Sequence, residues 1–417
     1  LIVLVVNPGG NSLKVQLVRC NRAQAHASEG VTLASVGVEA IATSEAKFLV
    51  YEDKKVVHSD PVQATGYAGA LENILARLKR QPGLRDLPFS AIDCVGVRVV
   101  HGGPNLTAPV EITPQVEQEI IALERLAPLH NKSAVEVLTP LRRQFSHAPI
   151  YGVFDTSFHR SIPDYASTYA IPLDLSAKHQ IRRYGFHGIS HRYMLERYAQ
   201  LTGKPVDQCN LVTMHLESGC SVSAIRQGKS IDNTMGLTPL EGLMMGTRCG
   251  DIDSSVVSLL MQQEAMSIDE VMTLFNRRSG LMGVSERSLD TRLLMPHYDT
   301  DPKVKLAMDM FCYRVLKSVG AYVAALGGAE AIVFGGGIAE NNRLLRDVIG
   351  NGLGWCGLKI DRAANERLID REGRLSTSDS PIQAWVIPVE EGLEIAHECS
   401  LTVASGQSDK VESTRFD

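Results

Sequence analysis

One pattern occurs twice in this sequence and limits its fold more than any other: an apolar run, a short polar turn containing glycine, and an alternating run leading back. Leu1–Val6 is followed by the turn Asn7–Ser12 and then by Leu13–Cys20, where Leu13, Val15 and Leu17 alternate with other residues. Asn210–Leu216, Glu217-Ser218-Gly219 and Cys220–Arg226 repeat the arrangement. Alternation with a period of two marks a strand with one buried face, and glycine permits a tight return, so each unit reads as a β-hairpin with a polar tip. Helical segments expected at Gly66–Arg80, near Gln115–Leu126, and around Ser254–Gln263, Asp269–Asn276 and Val304–Leu326 alternate with strands at Cys94–Val100, Pro149–Phe154 and Ala331–Phe334. A further helix is expected from near Glu340. Sheet and helix in alternation define an α/β chain. Its 417 residues exceed what one core usually holds, about 250–300 residues, so two lobes with a cleft between them are expected, each opening on a hairpin.

Bulk properties exclude several partners. A net charge of -5 gives no basic footprint, against nucleic-acid or membrane-surface binding. Hydrophobic residues at 44% and charged residues at 21% are those of a globular protein. The eight cysteines contain no C-x-x-C pair, so reduced thiols and a cytoplasmic location are expected. The apolar opening Leu1–Val6 is too short for a signal core or a membrane span.

The chemistry-bearing residues cluster at the turns. Asn7, Ser12 and Lys14 surround the first turn, His215 adjoins the second, and Gly335-Gly336-Gly337 makes a third before a helix. Backbone N–H groups at such turns can cradle an anion; Gly9-Gly10 alone reads more simply as a plain tight turn, and it is the occurrence of three such loops that points to phosphate. No G-x-x-x-x-G-K-[ST] occurs, and Gly335–Glu340 lacks the last glycine of G-x-G-x-x-G. Arg98, in a strand ending at Gly102-Gly103, and Arg248, between Gly246 and Gly250, are either surface arginines or anion clamps. Asp155 follows the apolar strand 150–154, at the end that faces the crevice in open α/β sheets. His187, between Gly185 and Gly188, is either a structural hydrogen-bonder or a donor to charge on a transferring group.

These segments resemble the acetate and propionate kinase family from Asn7 to about Ala396: RVVHGG at Arg98–Gly103, LAPLHN at Leu126–Asn131, VFDTSFH at Val153–His159, RYGFHG at Arg183–Gly188, GLTPLEG at Gly236–Gly242, GTRCGDID at Gly246–Asp253 and GIAEN at Gly337–Asn341. The resemblance implies two duplicated actin-like (RNase H-like) lobes of the acetate/sugar kinase, Hsp70 and actin superfamily. The first would span 1–156 with a C-terminal helix at about 391–404, the second 157–390, with a disordered tail at 405–417. It further implies a homodimer and transfer of a phosphoryl group between ATP and acetate, with Mg2+ or alternatively Mn2+. Arg98 and Arg248 would bind the carboxylate and the moving phosphoryl group, His187 and Arg248 would stabilise the transition state, and Asp155 would act as acid/base or orienting carboxylate. Asn7 and Glu391 would hold the metal. Val100, Leu129, Phe186 and Pro239 would enclose the substrate methyl group. Ser12, Lys14, the segment His215, Leu216, Glu217, Ser218 and Gly219, then Asp290, Thr291 and Arg292, and finally Gly337, Ile338, Ala339, Glu340 and Asn341 would face the nucleotide.

Three loops depart from the family pattern. N-x-G-S-S-S-x-K is here Asn7-Pro8-Gly9-Gly10-Asn11-Ser12-Leu13-Lys14, with two hydroxyls fewer. H-L-G-N-G becomes His215-Leu216-Glu217-Ser218-Gly219, and the Glu217 carboxylate should repel a polyphosphate unless it turns away or a cation intervenes. G-I-G-E-N carries Ala339 at its second glycine, at a cost of about 1 kcal/mol if that residue needs positive φ. All three lie on the donor side. The departures thus bear on the donor; the resemblance still implies ATP as donor and acetate as acceptor, with propionate, a non-ATP donor such as pyrophosphate, or a catalytically weak phospho-metabolite-binding protein as alternatives.

Overall fold

The first hairpin consists of β1 (Ile2–Pro8) and β2 (Leu13–Arg19), antiparallel, with Asn7 opposite Lys14. Val3, Leu4, Val5 and Val6 are all buried because β1 runs inside a sheet, between β2 and a parallel neighbour. A strand covered on both faces needs a continuous apolar run, not alternation. The computed structural model describes residues 1–21, 25–78, 88–126 and 131–406.

The chain divides into two units: Leu1–Ser157 with the described residues from Glu390 on, and Phe158–Val389. In the first, β3 (Val31–Glu39), β4 (Lys47–Glu52), β5 (Lys55–Pro61), β6 (Cys94–Val99), β7 (Val110–Glu111) and β8 (Ile150–Phe154) join the hairpin in the order β5-β4-β3-β2-β1-β6-β8-β7. In the second, β9 (Leu211–Leu216), β10 (Cys220–Arg226), β11 (Lys229–Asn233), β12 (Ala331–Gly335), β13 (Gly373–Arg374) and β14 (Gln383–Val386) run β11-β10-β9-β12-β14-β13. Without the added edge strands β4 and β5, the two orders correspond strand for strand, parallel at β1-β6-β8 and at β9-β12-β14. The repeated hairpin is thus the visible part of a repeated sheet.

The edge strands were not expected from sequence. β5 leaves Val56 and Val57 exposed and buries no face, so it carries no periodic signal. The helix expected near Glu340 begins earlier, at Gly337, and ends at Asn341; a second helix, Arg343–Gly352, follows with Asn342 as its cap. The reason is Gly336, whose φ of 84° turns the chain directly out of β12. A Cβ there would meet the backbone N and O of Leu216 at 2.7 Å, so only glycine lets this turn touch the end of β9. The C-terminal helix Glu391–Ser405 packs Ile395 and Cys399 against Gly96 of β6. The end of the expected Gly66–Arg80 helix beyond Leu78, and the tail after residue 406, lie outside the described residues. All eight cysteines are free thiols, and no described helix is long and apolar enough to cross a membrane.

Candidate active site

In the first unit the ends of three parallel strands bring four polar side chains together. Arg98 lies on β6, Asp155 follows β8, Asn7 lies near the end of β1, and Glu391 opens the C-terminal helix. Asp155 is 1% exposed and grips Arg98 as a fork: Nε donates to Oδ1 at 3.0 Å and Nη2 to Oδ2 at 2.6 Å. The other arm of the guanidinium, Nη1, donates to Asn7 Oδ1 at 3.1 Å and to Glu391 Oε2 at 3.3 Å. Asn7 Nδ2 donates to that same Glu391 oxygen at 2.8 Å. A planar cation held on two sides cannot swing, so Arg98 is oriented before any ligand arrives.

The second unit builds its polar centre without carboxylates at the core. His187 caps the helix Gly188–Thr202 with left-handed φ of 57°, an uncommon conformation for a side chain of this size. Its Nδ1 lies 2.9 Å from Ser221 Oγ on β10, and its ring centre is 4.5 Å from that of His215, at the end of β9. Burial and the nearby His159 and His215 hold His191 well below its usual pKa, and burial alone brings His159 down to about 4, so both rings are neutral at pH 7. Arg248 donates through Nη1 to the Pro239 carbonyl at 3.0 Å. Burial lowers its pKa from the ordinary arginine value, with the Cys220 thiol acting the other way. His187 and Arg248 meet at Gly219. A Cβ on that glycine would sit 3.1 Å from His187 Nε2 and 3.5 Å from Arg248 Nη1, so the bare Cα is what leaves both edges room.

Beside this centre the second unit contains a cavity of about 660 Å³ lined by Glu217, Ser218, Leu289, Asp290, Thr291, Arg292, Met295, Gly337, Ile338 and Asn341, among others. Asp290 accepts from the Arg292 backbone N at 2.8 Å and from its Nη2 at 2.7 Å, which caps the following helix and holds this carboxylate below its usual pKa. Several expected nucleotide residues do not line the cavity. Ala339 is a buried helical residue and needs no positive φ, so the anticipated backbone cost does not arise. Glu340 turns inward, where Oε1 accepts from Gly336 N at 2.8 Å and Val389 N at 3.1 Å. It ties the third loop together. Leu216 is core. His215 is buried, with Nε2 3.6 Å from Glu217 Oε2, and Glu217 itself is exposed at the cavity wall. Ser12 and Lys14 belong to the first unit, where Lys14 Nζ stands 5.3 Å from the Tyr51 ring centre. Phe186 and Pro239 belong to the second unit, Val100 to the first, and Leu129 lies outside the described residues.

The sequence reading gave no role to Arg183, His191 or Ser221. Arg183 donates to the carbonyls of Asn233, Thr234 and Met235 and to Glu241 Oε1 at 2.6 Å, pinning the segment that leads into Pro239. One signal was available: His191 is four residues after His187, hence on the same side of a helix. Ser221 gave none.

The two matched sheets, each headed by a hairpin and gathering polar side chains at its strand ends, define a duplicated, actin-like α/β fold of two lobes. The chain belongs to the Acetokinase family, whose profile matches residues 2–397. It is 42% identical over 406 residues to an acetate kinase of Solibacter usitatus, covering 95% of this chain and 97% of that one. Among solved structures, an acetate kinase of Porphyromonas gingivalis superposes with a TM-score of 0.86 at 34% identity, over 96% of this chain and 99% of that one. A propionate kinase of Francisella tularensis superposes with a TM-score of 0.85 at 34% identity, over 95% and 98%.

Proposed function

We propose that this chain is a short-chain carboxylate kinase that reversibly transfers the γ-phosphoryl group of ATP to acetate, giving acetyl phosphate and ADP. The observation that carries this reading is the meeting of His187 Nε2 and Arg248 Nη1 at Gly219, two donors gathered where no side chain intervenes. Phosphoryl transfer asks a protein for positioning and for stabilisation of charge on the moving group, which such donors supply. A carboxylate oxygen of acetate attacks the γ-phosphorus while the bond to the β,γ-bridging oxygen breaks. Acetate is already ionised at neutral pH, so no proton need be removed. Asp155 is therefore an orienting carboxylate, holding Arg98 to receive the substrate, and not a base.

Asn7 and Glu391 fit the metal. No cluster of three or more His, Cys, Asp or Glu side chains among the described residues could hold one. Magnesium, however, typically takes only one or two protein oxygens and completes its shell with water and substrate phosphates. Asn7 Oδ1 and Glu391 Oε2, which both accept from Arg98 Nη1, are oxygen donors of the kind that mode uses, and manganese would be accepted by the same donors. Bound there, the ion supplies charge neutralisation for the donor phosphates.

The cavity walls Leu289, Met295 and Ile338 offer apolar surface for an adenine-sized group, more than pyrophosphate requires, which favours ATP. Val100, Leu129, Phe186 and Pro239 remain the proposed acyl pocket, open to acetate and to propionate. A homodimer in the cytoplasm completes the reading, in keeping with eight free thiols. The test is a donor screen with ATP, GTP and pyrophosphate against acetate, trapping the acyl phosphate with hydroxylamine. ATP-dependent hydroxamate is the expected result; product with pyrophosphate alone overturns the donor assignment, and no product with any donor overturns the enzyme.

A further inference from the structure

We propose that Ser221 and His191 are positioning residues that fix the tautomer and orientation of His187. The proposal rests on the catalytic reading of His187 given above. Four groups form an unbroken chain: His187 Nδ1 lies 2.9 Å from Ser221 Oγ, Ser221 Oγ lies 2.7 Å from His191 Nε2, and His191 Nδ1 lies 2.7 Å from Thr213 Oγ1. Ser221, His191 and Thr213 are wholly buried, so water does not compete for these bonds. The fold makes the chain. His187 and His191 stand one turn apart at the start of the helix Gly188–Thr202, and Thr213 and Ser221 face it from the antiparallel pair β9 and β10.

Hydrogen counting allows the chain two directions, of which the proposed one begins at Thr213. A hydroxyl donates one hydrogen and accepts two, and a neutral imidazole donates one and accepts one. His191 is neutral, so it passes one hydrogen along. If Thr213 donates to His191 Nδ1, then His191 Nε2 donates to Ser221, and the Ser221 hydroxyl donates to His187 Nδ1. The hydrogen of a neutral His187 is thereby forced onto Nε2, the edge that meets Arg248 at Gly219. When His187 is an imidazolium, every donor in the chain reverses: Nδ1 donates to Ser221, Ser221 to His191 and His191 to Thr213. In both states His187 presents an Nε2–H to the reacting group, and its ring is held at Nδ1. Without Ser221 the ring loses its anchor, and the neutral form can place its hydrogen on Nδ1, turning a donor edge into an acceptor edge that repels phosphoryl oxygens.

The test is a double-mutant cycle on the full chain, with Ser221→Ala, His187→Ala and the pair, read as acetate-dependent hydroxamate formation, together with 15N spectra of histidine-labelled protein. Ser221→Ala should lower turnover about ten- to a hundredfold while the KM for acetate changes less than about threefold. On the His187→Ala background it should cause no further loss. Wild-type His187 should give the Nε2–H signature, and Ser221→Ala a mixture of tautomers. An Ser221→Ala loss that persists without His187 shows a merely structural role and overturns the proposal, as does an Nδ1–H signature in the wild type. Normal turnover by His187→Ala overturns the parent reading and this one with it. Should Ser221→Ala fold poorly, Ser221→Cys, which keeps the volume and a weak donor, carries the same cycle.

Discussion

The two units share a sheet topology and solve opposite electrostatic problems at the ends of their strands. The first gathers full charges: Arg98 is clasped by Asp155 and Glu391, with Asn7 between them. The second gathers rings and hydroxyls, with imidazoles alternating with hydroxyls from His187 to Thr213, and one partly buried guanidinium, Arg248, bonded to a carbonyl. An ionic cluster compensates itself and so stays rigid and ready. On the proposed function, the Nη1 edge of Arg248 and the Nε2 edge of His187, which meet at Gly219, face the transferring group. On that reading, the first unit orients the substrate and the second stabilises the transferring charge.

The comparison breaks most severely at Asp155. Asp155→Ala leaves the buried Arg98 with only part of its compensation, and loss of one partner of a buried ion pair costs about 3–5 kcal/mol. A comparable loss in the second unit from an aromatic or hydroxyl change at the surface is not expected; chemical denaturation of the variant measures the first. A drop below about 1 kcal/mol would mean that Glu391 alone suffices.

Acid should break the second unit first. His159 is fully buried with a pKa near 4, below the 6.5 of an unfolded chain, and His191 is lowered as well. The unfolded state then binds more protons, so the full stability present above pH 6.5 falls as pH drops toward 4. His159 alone contributes a loss of about 3 kcal/mol over that window. Thermal unfolding followed from pH 7 to pH 4 checks this. A flat midpoint would show that neither ring is held neutral.

Arg248→Ala should cost at least about a hundredfold in turnover with the fold retained, since it removes charge aimed at the transition state. Hydroxamate kinetics beside a circular-dichroism spectrum separate that effect from misfolding. Near-normal turnover would remove Arg248 from the stabilising unit.

The smallest effect concerns the cavity wall. Glu217→Gln removes a carboxylate from the lining while keeping its size, and should tighten nucleotide binding severalfold, most at low magnesium, where no cation screens the charge. Calorimetric titration at several magnesium concentrations decides it, equal affinities throughout meaning that the carboxylate faces away. Ala339→Gly should bring no gain, because residue 339 is helical and its methyl group is buried.

Sequence alone determined the repeated hairpin, the α/β alternation and the family, because these rest on local periodicity and on short motifs whose order survives in the chain. It also named Arg98, Asp155, His187 and Arg248. Tertiary structure decided what those residues touch. Glu391 reaches Arg98 across 293 positions, and nothing local to either residue announces the contact. Glu340, inside a motif that reads as ligand-facing, turns to the interior because Gly336 and Val389 leave two backbone N–H groups there to be satisfied. Ser221 looks like any small polar residue of a strand until β10 is laid against β9 beneath the helix that carries His187 and His191. Periodicity fixes which face a side chain takes within its own element. Its partners depend on how distant elements are brought together, and hydrogen bonds satisfied over such separations leave no local pattern to find.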